Sequence, residues 1–75
     1  MSKNSPIEIN VTVVEHGGAD PTKGGMVLVE DRDGCQGWVP YALLDEDSEI
    51  TAESEVGEEG VLVIPIWLAD ELDLA

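Results

Sequence analysis

Residues 45–59 read DEDSEITAESEVGEE and carry eight carboxylates with no lysine, arginine or histidine. Side chains of this type and density can do one kind of chemistry, which is to attract cations and basic protein surfaces. A solvated, mobile loop has the same composition. Both interpretations are open from this segment alone, and they lead to different functions.

Residues that could support catalysis are scarce. His16 is the only histidine and precedes Gly-Gly, which indicates a surface loop rather than a general base. Cys35 lies in a predicted hairpin strand, where we interpret it as a small buried hydrophobe or an edge thiol and not as a nucleophile. The carboxylates cluster in polar segments, whereas acid–base catalysis needs one of them in an apolar pocket. We therefore expect a protein that is not an enzyme and that uses no cofactor.

Alternating oxygen-bearing side chains in DRDG (31–34) and DEDSE (45–49) resemble part of a calcium loop. An EF-hand requires a bidentate glutamate at the twelfth position of its loop. That position is Ala42 if the loop starts at Asp31, and Val56 if it starts at Asp45. The sequence therefore predicts no dedicated metal site.

Net charge is the most extreme property of the chain. Seventeen acidic and three basic residues give −14 in 75 residues. Such a charge repels nucleic acids and anionic membranes, so we expect direct binding to neither. Solubility of a small domain needs a net charge of only about 2–8 in magnitude. The excess costs stability and favours a basic partner that makes use of it.

Carboxylates on strands approach the charge density of DNA only when two rows lie side by side. One strand face presents a side chain about every 6.7 Å, whereas each DNA strand has a phosphate about every 3.4 Å. Glu49, Glu53 and Glu55 form one candidate row. The second row is formed either by Glu30, Asp31 and Asp33 or by Glu8 and Glu15. The predicted partner-binding residues are Glu30, Asp31, Asp33, Asp45, Glu46, Asp47, Glu49, Glu53, Glu55, Glu58 and Glu59.

Short apolar segments must position these acids. Alternation over residues 7–15 predicts a first strand, and MVLVE (26–30) with CQGWVP (35–40) predicts a hairpin around DRDG, with Gly34 suited to positive φ. Residues 16–25 predict a flexible loop. Residues 41–44 predict a helical turn with Leu43 and Leu44 inward. A weak strand is predicted over 50–56, and GVLVI (60–64) predicts a strand central to the sheet.

The C-terminal segment PIWLADELDL (65–74) predicts a helix that starts at Pro65 and places Trp67, Leu68, Leu72 and Leu74 on one face. The predicted fold is mainly β: a small antiparallel sheet of four or five strands, open or barrel-like, with this short helix. Hydrophobic residues make up 43% of the chain, which argues against disorder. Residues 1–75 are expected to form a single acidic domain, as a monomer or a small dimer.

The hairpin MVLVEDRDGCQGWVP, an acidic stretch and EGVLVIPIWLADELDL together resemble a set of small phage-encoded proteins. The positions that carry the resemblance are Trp38, Pro40, Leu62, Ile64, Pro65, Trp67, Leu68 and Ala69. Asp73 is a departure, because glycine is usual there. The resemblance names no activity and implies a phage or prophage origin. A single cysteine and the lack of a secretory signal then predict the cytoplasm of the bacterial host.

In size and charge the chain also resembles anti-CRISPR proteins that imitate DNA. This likeness implies an inhibitor that occupies a basic nucleic-acid-binding site on a host protein or nucleoprotein complex, such as a CRISPR effector complex. The alternative is an interaction module with an apolar surface around Trp38, Tyr41 and Trp67, in which the acids serve solubility alone.

Overall fold

The chain folds into an antiparallel sheet covered on one face by a short helix. A computed structural model describes residues 5–17 and 24–74. The elements are β1 (Pro6–Gly17), β2 (Met26–Asp31), β3 (Gln36–Pro40), a 3-10 turn (Tyr41–Leu43), β4 (Glu59–Pro65) and α1 (Ile66–Leu72). The sheet order is β3-β2-β1-β4. The predicted mainly-β fold with a C-terminal helix is confirmed, whereas closure into a barrel is wrong because the sheet is open.

The first strand, β1, pairs with two neighbours. Its first half pairs with β4 and its second half with β2, and the predicted alternation places Ile9, Val11 and Val13 in the core. A bulge between Val13 and Glu15 interrupts the β1–β2 register. The bulge shifts the alternation by one residue, so that His16 lies opposite Val27 on the core face. Residues 16 and 17, predicted as loop, therefore belong to the strand, and residues 18–23 of that loop lie outside the described residues.

The hairpin of β2 and β3 forms as predicted, with Val27 opposite Val39. The carboxylate of Asp31 accepts hydrogen bonds from the N–H groups of Asp33 (2.8 Å) and Cys35 (3.0 Å). Gly34 has a φ of 87°, which glycine adopts without steric cost. The aspartate at its start and the glycine near its end thus fix the turn.

The fourth strand, β4, lies at one end of the sheet, so the prediction of a central strand is wrong. It is nevertheless strongly apolar because other segments cover it. Residues 45–50 run along its outer edge, where the N–H groups of Asp45 and Glu49 donate to the carbonyls of Val63 and Val61, each at 2.9 Å. Residues 50–56 form turns, so the predicted weak strand there is also wrong.

The core lies between one face of the sheet and a layer that contains α1, the 3-10 turn and Ile50. The helix is shorter than predicted: Pro65 is its N-cap and Leu72 its last residue. Leu72 packs on Gly37, where an added Cβ would lie 3.1 Å from the Cβ of Leu72. Leu43 and Leu44 pack inward, as predicted. The buried cluster comprises Ile9, Val11, Val13, Val27, Val29, Val39, Ile50, Leu62, Ile64, Leu68, Ala69 and Leu74.

Asp73 ends α1 in the left-handed conformation, with φ 56° and ψ 33°. We expect Asp73→Gly to raise the free energy of unfolding by about 1 kcal/mol, because glycine avoids the Cβ clash of this conformation and the carboxylate leaves the negative end of the helix. Urea denaturation measures the change. Asp70→Gly removes the same charge from inside the helix and should not stabilise. Equal effects of the two variants would assign the gain to charge and not to the backbone.

Candidate acidic interaction surface

The acid-rich segment, residues 45–59, is a succession of hydrogen-bonded turns. The N–H groups of Ser48, Ser54 and Glu58 each donate to the carbonyl three residues earlier, at 3.0–3.1 Å. Serine and threonine side chains reinforce the turns, since the Thr51 N–H donates to the Ser54 hydroxyl at 2.9 Å. The segment therefore has a defined path over the protein surface.

Side chains as well as backbone groups attach the first part of this segment to β4. The Ser48 hydroxyl donates to the Ile50 carbonyl at 2.8 Å and accepts from the Val63 N–H at 3.1 Å. A carboxylate oxygen of Glu49 accepts from the Val61 N–H at 2.8 Å. Ser48 and Glu49 thus satisfy N–H groups of β4 that a further strand would otherwise bind.

The second part of the segment is attached to the core and to β1. Ile50 is fully buried, and its Cδ1 would lie 3.2 Å from a Cβ added at Gly60. Gly57 donates to the Val13 carbonyl at 2.7 Å, and Val13 donates to the Glu58 carbonyl at 2.9 Å. These contacts continue the pairing of β1 and β4 beyond the end of the strand.

His16 provides one more attachment and is not the loop histidine that the sequence indicated. Its Nε2 lies 2.5 Å from the Ser54 carbonyl, and its Nδ1 lies 2.5 Å from the Tyr41 hydroxyl. Since a carbonyl can only accept, Nε2 carries the proton and, in the neutral ring, Nδ1 accepts from the tyrosine. The imidazole therefore joins the acid-rich segment to the 3-10 turn, and it has a structural role.

Burial raises the pKa of Tyr41 above its ordinary value. The folded state thus holds the phenol proton more tightly, so this contribution to stability is complete below about pH 10 and is lost as the pH rises through the folded-state pKa. Tyr41 is the only tyrosine, so phenolate absorbance reports it directly. We expect a higher titration midpoint in buffer than in urea, and Tyr41→Phe should reduce the alkaline loss of melting temperature. Coincident midpoints would contradict this expectation.

The eight carboxylates of residues 45–59 form one group, which we call the acidic edge. Residues 45–49 follow the outer edge of β4, whereas Glu53 and Glu55 flank Ser54, whose carbonyl contacts His16 of β1. Seven are exposed and Asp45 is partly buried. The attachments at Val63 and Val61 and the position of Glu59 place the acids at positions 45–49, 58 and 59 along about 14 Å of β4. The acidic edge consists of Asp45, Glu46, Asp47, Glu49, Glu53, Glu55, Glu58 and Glu59.

The remaining predicted residues lie on or near the β2–β3 hairpin. Glu30 and Glu59 flank Thr12 on the open face of the sheet, and a groove of about 500 Å³ beside them also contains Arg32 and Glu49. Asp33 is exposed in the turn.

Asp31 does not suit the partner-binding role that the sequence suggested. Its side chain is only 5% exposed and its carboxylate binds turn N–H groups. It therefore acts as a structural residue of the hairpin and adds little to the anionic surface.

The two rows of strand carboxylates that the sequence suggested are not formed. Glu49, Glu53 and Glu55 lie on turns, so they do not follow the 6.7 Å repeat of one strand face. The turns instead carry the acids along the outer edge of β4 and then past His16 of β1. The arrangement therefore presents a dense anionic surface on a folded support.

The three aromatic residues of the alternative interaction module do not share a surface. Tyr41 and Trp67 pack against the core cluster. Trp38 alternates with the buried Val39 and therefore lies on the opposite, open face, where it is 38% exposed. Leu28 is directly opposite Trp38 on β2, and Met26 follows two residues away. The apolar surface is therefore Trp38 with Leu28 and Met26.

The described residues contain neither a metal-binding cluster nor a helix that could cross a membrane. Within residues 5–17 and 24–74, no group of three or more histidine, cysteine, aspartate or glutamate side chains is arranged to hold a metal ion. In this part of the chain no helix has the length and apolar composition that crossing a bilayer requires. Comparison of the chain with protein-family models, curated proteins and solved structures finds no significant match to any of them.

Proposed function

We propose that this protein is an acidic, phage-encoded inhibitor whose acidic edge occupies a basic nucleic-acid-binding site on a host protein or nucleoprotein complex. A CRISPR effector complex is the leading candidate target. The observation that supports the proposal is the concentration of eight carboxylates in residues 45–59, a segment hydrogen-bonded to the folded sheet, in a chain with a net charge of −14.

Clustering matters because salt limits how far each charge acts. At physiological ionic strength the screening length is about 8 Å. Carboxylates at neighbouring positions of one ordered segment therefore reinforce one another against a basic site more than the same charges distributed over the whole surface would. A Lys/Arg-lined cleft gains this attraction over its length, and release of its counterions adds to affinity.

The attachment of the acid-rich segment favours this function over simple solubility. Solubility needs charge but no particular arrangement of it. Here buried Ile50, Ser48 and His16 tie the segment to the sheet at separate places. A partner that binds an ordered segment pays less conformational entropy than one that must order a free loop.

Competition with DNA tests the proposal. The immobilised protein should capture nucleic-acid-binding proteins from a bacterial lysate at low salt, and duplex DNA should displace them. Raising the salt concentration should release them steeply. A captured protein that holds DNA and this chain at the same time would overturn the proposal.

A matched pair of variants separates arrangement from total charge. One variant neutralises four exposed acids of the acidic edge, and the control neutralises four exposed acids elsewhere. Both lose four negative charges, so a large loss of capture by the first alone supports the acidic edge. Equal losses would indicate that only net charge matters. The first variant is Glu46→Gln, Asp47→Asn, Glu53→Gln and Glu55→Gln, and the control is Glu8→Gln, Glu15→Gln, Asp70→Asn and Glu71→Gln.

The exposure of Trp38 supports a second candidate function, which is an interaction module that uses the open face of the sheet. In that case the partner contacts Trp38, Leu28 and Met26, and the acids contribute only solubility. Trp38→Ala should then abolish capture, while neutralising the acidic edge should have little effect. The inhibitor proposal expects the reverse order of effects.

A further inference from the structure

The two edges of the sheet differ in their surroundings. Residues 45–50 cover the outer edge of β4. In the described part of the chain β3 pairs only with β2, and no described segment pairs with its other edge. An edge strand of this kind is a template for another strand unless charge, proline or a covering segment prevents it.

The register of the hairpin identifies the backbone groups on this edge. Tyr41 donates to the Gly25 carbonyl, and Asp31 donates to the Cys35 carbonyl. Hydrogen-bonded pairs alternate along an antiparallel ladder, so the residues between them, Gln36, Trp38 and Pro40, direct their backbone groups away from β2. The edge thus presents the N–H groups of Gln36 and Trp38 and the carbonyls of all three.

Side chains do not cover these backbone groups. The Trp38 ring extends across β2 to β1, where a Cβ added at Gly17 would lie 2.7 Å from its Cζ3. The Gln36 side chain also turns inward, with its Nε2 3.4 Å from a carboxylate oxygen of Glu30. These two side chains of the open face therefore lean toward the sheet and away from the edge.

We propose that β3 pairs in antiparallel fashion with β3 of a second copy of the chain, around a two-fold axis at Trp38. Gln36 then lies opposite Pro40 of the other copy, and its N–H donates to that proline's carbonyl. The two Trp38 residues exchange their N–H and carbonyl groups. The contact is the same from both sides, as a symmetric dimer requires, and it joins two sheets into one.

The absence of charged side chains on β3 favours a second copy over a basic strand as the occupant of this edge. The strand QGWVP has no charged residue, so its cross-strand neighbours are best matched by uncharged side chains, which it supplies itself. The acids at positions 45–49 lie at the other end of the sheet, about 14 Å away at the usual strand spacing. Pairing through β3 therefore keeps these acids of the two copies apart.

A proline substitution tests the pairing. Gln36→Pro removes an N–H that makes no bond within the monomer ladder, and edge strands tolerate proline in this orientation. Sedimentation from about 10 µM to about 1 mM should show a wild-type dimer, weakened at least tenfold by Gln36→Pro. Gln36→Thr keeps the N–H and should dimerise like the wild type. Monomeric wild type over this range, or an unaffected Gln36→Pro variant, would overturn the proposal.

Salt and hydrogen exchange give tests that do not depend on the folding of a variant. Raising NaCl from about 0.05 to about 0.5 M should strengthen the dimer, because screening reduces repulsion between two acidic chains. The Trp38 amide should gain exchange protection as protein concentration rises. Weakening by salt, or protection that does not change with concentration, would refute a β3–β3 dimer.

Discussion

Replacing Ile50 by alanine is expected to lower the free energy of unfolding by about 2–5 kcal/mol. The Ile50 side chain is 0% exposed and belongs to the core cluster, although it lies in the most acidic part of the sequence. Truncation leaves a cavity over Gly60 and releases the acid-rich segment from the sheet. The total free energy of unfolding of a small domain is about 5–15 kcal/mol, so thermal and urea denaturation should show a large shift.

Val56→Ala is the matched control for Ile50→Ala. Val56 lies in the same segment and is 64% exposed, so its truncation should change stability by no more than about 0.5 kcal/mol. Partner capture should fall for Ile50→Ala even at temperatures where the sheet remains folded, since the acids would lose their fixed arrangement. Retained capture together with lost stability would show that the ordered path of the segment is not needed for binding.

Asp31→Ala is expected to destabilise the protein by about 2–4 kcal/mol, even though it reduces an excessive negative charge. The carboxylate accepts two backbone N–H groups of the turn, and hydrogen bonds to charged groups contribute about 1.5–3 kcal/mol each. Relief of repulsion between charges in water is worth at most about 1 kcal/mol per close pair. The lost hydrogen bonds therefore outweigh the gain, which urea denaturation can verify.

Asp33→Ala removes the same charge two residues away and should have the opposite outcome. Asp33 is exposed and contributes its N–H, which alanine retains. We expect no loss of stability, and a small gain at low salt. A comparable loss in both variants would mean that the turn needs the second carboxylate, and that the hydrogen bonds of Asp31 do not explain its burial.

Local patterns were sufficient to predict most of the elements. Alternation identified β1, and the turn residues between β2 and β3 identified the hairpin, because both signals depend on residues close in sequence. Leu43 and Leu44 were correctly placed inward for the same reason. Pro65 marked the start of α1 to within one residue.

The errors concern contacts between distant segments. The apolar run of β4 indicated a central strand, but the strand is covered by residues 45–50, which pair with it from more than ten positions away. The bulge in β1 turns the His16 side chain to the opposite face of the sheet. No residue type near Val13 indicates that a bulge is present. Asp31 carries the same charge as the exposed acids, so only its buried position in the turn shows that its role differs.

The sequence predicts which acids belong to the candidate site, but it does not predict how they are arranged. The composition of residues 45–59 identifies the acids, whereas it does not identify Ile50, Ser48 and His16 as the residues that hold them in place. An isoleucine within an acidic run is the sequence signal that could have identified Ile50 as the residue that anchors the segment to the core. The support of the site depends on hydrogen bonds to β4 and β1, which composition does not reveal.

Glu49 has two roles. Its carboxylate contributes negative charge, and it also accepts a hydrogen bond from the Val61 N–H. The length of the Glu49 side chain therefore matters as well as the sign of its charge, because aspartate is one methylene too short to reach that N–H. Glu46 and Glu53, which are exposed, carry no such requirement. Evolutionary drift should accordingly exchange aspartate and glutamate freely at the outer positions, while position 49 tolerates neither the shorter acid nor an aliphatic replacement.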